Sequence, residues 1–165
     1  MADENQSSKS NILWGLFAAG MGAFIVAGTS GLLGIDMHPT KGTPQWVGIL
    51  AGAVFVAGGL AVILQSLSVA RPRPDGSLSP DAPLWVRGLS LSLALVIAGS
   101  FTVMGYWVAF GPGERHFSGG VPFLPEYANQ AFGRVAFGFG TLLSAAIFIA
   151  FLVGGVRQLL RPDKS

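Results

Sequence analysis

The chain alternates long apolar runs with short polar connectors. Runs at 12–35, 46–67, 88–110 and 135–156 hold no Asp, Glu, Lys or Arg. Each exceeds the roughly 20 residues that span a ~30 Å hydrocarbon layer at ~1.5 Å per residue. With their flanking turns they predict helices over 12–35, 46–67, 84–110 and 131–160, joined by loops over 36–45, 68–83 and 111–130. The expected fold is all-α: an integral membrane four-helix bundle built as two helical hairpins in a single transmembrane domain, 1–165.

Local punctuation agrees with these bounds. Thr43 before Pro44 reads as an N-cap followed by proline at the first helical position, and Asp81 before Pro83 reads as a similar start. The connector containing RPRPDGSLSP can continue neither flanking helix. Pro125 with Glu126 offers a helical turn ahead of the last span. The leader MADENQSSKS carries Asp3 and Glu4 besides Lys9, and the run behind it is longer than a signal core, so an uncleaved first helix is expected.

Composition supports an apolar solvent. Of the residues 51% are apolar and 11% charged, against about 25% charged in soluble domains. The formal charge of +2 is too small to suggest nucleic-acid binding, and the bilayer is the expected partner. Basic residues are asymmetric: Lys9, Arg71, Arg73, Arg87, Arg157, Arg161 and Lys164 fall on one side, Lys41, Arg115 and Arg134 on the other. That excess places both termini in the cytoplasm. Trp14, Trp46, Trp85 and Trp107 fall near predicted helix ends, where headgroups favour tryptophan. With no cysteine in the chain, a bacterial inner membrane is the expected location, and no cofactor is implied.

Glycine is the other signal, with 24 residues, most of them inside the apolar runs. In lipid, small residues let helix backbones approach closely. Gly22 with Ala18 in the first run, Gly48 and Gly52 in the second, and Gly140 between Ala136 and Ser144 in the fourth are the expected packing positions, with Ala19, Ala23, Ala27 and Gly31 forming a second row in the first run. Such seams serve internal packing or association with a membrane partner or a second copy.

The membrane interior carries hydroxyls but no ionisable group: Ser90, Ser92, Ser100 and Thr102 in the third run, Thr141 and Ser144 in the fourth. Pumps, proton relays and voltage sensors need ionisable side chains there, as do exporters that couple through an intramembrane carboxylate. Both histidines, His38 and His116, lie in outer loops, which does not suit intramembrane haem ligation. Those loops place Asp36 two positions before His38 and Glu114 two before His116, a set whose carboxylate and imidazole groups suit a divalent metal if the hairpins converge. Arg115 and Arg134 are expected to pair with Glu114, Glu126 or Asp36 and fasten the second loop over the bundle.

The segment GTPQWVGILAGAVFVAGGLAVILQ resembles the glycine-rich hairpins of the small four-helix subunit of tripartite tricarboxylate transporters. The second half, with YWVAFGPGERHFSGG, departs from that pattern, and no activity or residue role is carried over. The residues themselves favour a non-catalytic accessory, assembly or structural subunit of a membrane complex. The alternatives are a small transporter or channel component for a neutral or lipophilic solute, and an outer-face metal-binding protein or enzyme.

Overall fold

The computed structural model describes residues 2–34, 43–67, 82–112 and 125–160. Four helices account for nearly all of them: α1 (Ala2–Thr29), α2 (Gln45–Ser66), α3 (Leu84–Phe110) and α4 (Glu126–Leu160). Each contains a segment long and apolar enough to cross a membrane, from 22 residues in α1 and α2 to 31 in α4.

Three helices start in the same way. Pro44 and Pro83 are the N-caps of α2 and α3, without a side-chain cap. Their carbonyls and that of Pro125 accept the first helical amides, from Val47, Val86 and Ala128. Proline has no N–H to leave orphaned and its φ is preset, so it serves as the boundary itself. Thr43 and Asp81 are therefore not the caps expected from the sequence, and α4 opens at Glu126 rather than 131.

Both bounds of α1 also differ from the expected 12–35. It starts at Ala2, because the leader has no proline or glycine to interrupt a helix. It ends at Thr29 in a Schellman motif. The Leu32 amide donates to the Ala27 carbonyl at 3.0 Å and the Gly31 amide to Gly28 at 3.3 Å. Gly31 takes φ 78°, so it terminates the helix instead of extending the α1 seam.

α1 packs on α2, α2 on α3, and α3 on α4. The paired residues run in opposite directions at every interface, so the start of α1, the end of α2, the start of α3 and the end of α4 share one end of the molecule. The two hairpins join through α2 and α3, where Ala57, Leu64, Val86 and Leu93 form the buried core. α1 and α4 have no packed interface with each other, so the arrangement is an open row rather than a closed ring.

The α1–α2 interface rests on a seven-residue spacing in both helices: Ser8, Gly15, Gly22 and Thr29 against Gln45, Gly52, Gly59 and Ser66. At the ends the contacts are polar. Ser8 Oγ donates to the Ser66 carbonyl at 3.1 Å, and Gln45 Nε2 donates to the Thr29 carbonyl. Between them a Cβ on Gly15 would lie 2.8 Å from the Gly59 carbonyl oxygen, and one on Gly22 2.5 Å from that of Gly52. A strict seven-residue repeat keeps one face of each helix on its partner through a left-handed supercoil.

α3 and α4 pack differently, with side chains of one helix seated on glycines of the other. Thr141 lies on Gly105, the Phe148 ring on Gly99 and Leu91 on Gly155. The outer surface is strongly apolar: Phe139 and Leu142 are each 70% exposed and Trp14 66%. Soluble monomers rarely expose contiguous apolar surface on this scale.

Candidate functional site

Of the residues singled out for chemistry, Asp36, His38, Glu114, Arg115 and His116 lie outside the described residues. Glu126 is the first residue of α4. Arg134 is half-buried. The α3–α4 register fixes its level: Thr141 faces Gly105 and Gly138 faces Ala109 and Phe110, so Arg134, one turn earlier, is level with Pro112 just beyond α3. The guanidinium-bearing residue thus sits at an end of the bundle and not among its packed helices.

The four expected packing glycines divide. Gly22 and Gly52 face one another, and a Cβ on Gly48 would come 2.6 Å from Thr29 Cγ2. Gly140 is exposed, with nothing within 4 Å of a Cβ placed there, and Ala136 beside it is exposed too. Gly15, Gly59, Gly99 and Gly105 make close contacts that four-residue spacing did not single out; the seven-residue spacing within α1 and α2 is the signal for the first two.

Among the described residues, the hydroxyls of Thr29, Thr102 and Thr141 each bond within their own helix. Thr29 donates to its own helix at Ile25 (2.7 Å), Thr102 to Ala98 (2.8 Å) and Thr141 to Phe137 (2.8 Å). Thr29 lies in the α1–α2 interface and Thr141 in the α3–α4 interface, on opposite sides of the core. A hydroxyl that donates to a carbonyl of the preceding turn costs little to bury.

Among the described residues, a groove of about 380 Å³ is bordered by α2, α3 and α4. It exists because α2 and α4 flank α3 without an interface of their own, leaving the α3 face between them as a floor. Small residues make the floor low: Ser90, Ala94 and Ala98 on α3, with Ala61 on the α2 wall. Phe101 lines the end nearer the middle of α3, and Phe151 and Ile147 form the α4 wall. Its polar groups are Gln65, Ser90 and Ser144, none of which makes a hydrogen bond among the described residues. Gln65 is the only amide side chain inside the four apolar runs, a signal that inspection of hydroxyls and charges passed over.

A volume above ~300 Å³, mostly apolar walls and a few polar groups is the usual make-up of a small-ligand site. From Ser90 to Phe101 the floor extends roughly 16 Å along the α3 axis. Such a trough can take an extended hydrocarbon of modest width and orient it through the amide and hydroxyls. Compared with protein-family models, curated proteins and solved structures, the chain gives no significant match.

Proposed function

We propose that this is an integral protein of a bacterial inner membrane, with both termini cytoplasmic, that acts without chemistry of its own as an accessory or assembly subunit of a membrane complex. The outward Ala136–Gly140 face of α4 carries this reading. Small residues on a membrane helix permit a second helix to approach closely. In α1 and α2, Gly15, Gly22, Gly48, Gly52 and Gly59 are covered by a neighbour within the chain, though Gly20 and Gly58 are open, whereas Gly140 lies open on a helix whose one extensive interface among the described residues is with α3. A partner subunit or a second copy would pack there, and lipid would cover the rest of the apolar surface.

Purification of the full chain at native abundance in mild detergent tests the reading. Wild type should bring down a partner or a second copy, and Gly140→Leu should lose it while keeping helicity and melting behaviour. A monomer with nothing attached, or a G140L chain that retains its partner, overturns the proposal. Because the chain has no cysteine, single cysteines at the exposed Ser10 or at Lys164 report orientation: labelling only after the membrane is breached agrees with cytoplasmic termini.

A further inference from the structure

We infer that the groove between α2, α3 and α4 holds one acyl chain of an anionic phospholipid, with the lipid phosphate at Arg87. The inference rests on the membrane reading above but not on the existence of a partner subunit. Arg87 precedes Ser90 by three residues and Ala94 by seven, so it continues the groove-floor stripe Ser90, Ala94, Ile97 and Phe101 by one more turn. It lies in the first turn of α3, at the end of the molecule shared with Ser66 of α2 and Arg157 of α4.

Arg87 is half-buried and makes no ion pair among the described residues. A guanidinium offers paired N–H donors that match a phosphate, and near an anionic leaflet each basic residue adds attraction. Beyond it the trough turns from polar to apolar in the order a phospholipid does. Gln65 and Ser90 stand nearest Arg87, where ester carbonyls would accept hydrogen bonds, and Ala94, Ala98, Ile147 and Phe101 follow where methylenes would lie, with the Ser144 hydroxyl, level with Phe101, the one polar group at that far end. A second protein helix fits less well, because the floor is about 16 Å long, roughly half the length of a membrane-crossing helix.

The test is native mass spectrometry of the full chain released from nanodiscs of equal phosphatidylglycerol and phosphatidylcholine. Wild type should retain one phosphatidylglycerol per chain in preference to phosphatidylcholine. Arg87→Gln should lower that preference about fivefold, the size expected for one basic residue, and Arg87→Lys should keep most of it. Ala94→Phe fills the floor and should reduce retention of both lipids, while added glycerol phosphate, which has no acyl chain, should displace nothing. Equal retention of the two lipids by wild type, an unchanged preference in R87Q, or displacement by glycerol phosphate overturns the inference. So does an A94F chain that keeps its lipid but loses self-association, which would assign the groove to a second copy. If A94F fails to fold, R87Q against R87K decides. A chain that binds a partner but no anionic lipid sinks this inference alone, and a lipid-bearing monomer sinks only the subunit proposal.

Discussion

Gly22 and Gly52 meet across α1 and α2 so closely that a methyl on the first would lie 2.5 Å from the second's carbonyl oxygen, and the reverse distance would be 2.7 Å. Both obstructing atoms are backbone, so no side-chain rotation relieves the clash. Gly52→Val should therefore separate the helices and cost about 1–3 kcal/mol, the usual range for overpacking. Gly140→Ala should be neutral or stabilising by up to about 1 kcal/mol, since it adds helix propensity in open space. Reversible unfolding in mixed detergent measures both, and equal effects would refute the interface.

Trp46 and Trp107 join α2 to α3 at the end away from the chain termini, with ring centroids 5.7 Å apart and planes at 81°. This edge-to-face geometry brings the positive rim of one ring to the negative face of the other. A double-mutant cycle of Trp46→Leu and Trp107→Leu should show coupling of about 0.5–1.5 kcal/mol. Additive effects would mean that the rings do not interact.

Gly31 holds φ 78° in the motif that ends α1. A side chain in the left-handed region costs roughly 1–2 kcal/mol, which Asn tolerates better than β-branched residues. The destabilisation should follow Val above Ala above Asn at this position. Gly20, helical and open, provides the control: Gly20→Ala should not destabilise.

Thr141 spends its hydroxyl on the Phe137 carbonyl while its Cβ lies 3.5 Å from the Cβ position of Gly105. Thr141→Val keeps the shape and removes only a bond inside one helix, so a loss of about 0.6 kcal/mol or less is expected. Gly105→Leu should cost several times more, because the new side chain must displace Thr141. A large T141V effect would point instead to a polar role for this hydroxyl.

Much of the helical framework was legible without coordinates. The second run, 46–67, became α2 (Gln45–Ser66), and 84–110 became α3 (Leu84–Phe110). The ends of α1 were not legible from hydropathy: its start follows backbone propensity in a polar leader, and its stop depends on Gly31 reaching positive φ. The outer-loop set of Asp36, His38, Glu114 and His116 falls outside the described residues, whereas the groove could not be read from spacing because its walls come from three helices.

Taken alone, the order of residues determined four helices and their apolar character, because run length and helix-breaking residues act through neighbours in the chain. Only the tertiary structure decided what each small residue does. Gly22 and Gly140 both occupy small-residue patterns on apolar helices, yet one touches backbone and the other faces outward. The difference arises because α1 has α2 along that face while the Gly140 face of α4 meets no other helix of the chain, and which faces meet is set by long-range packing that no local pattern encodes.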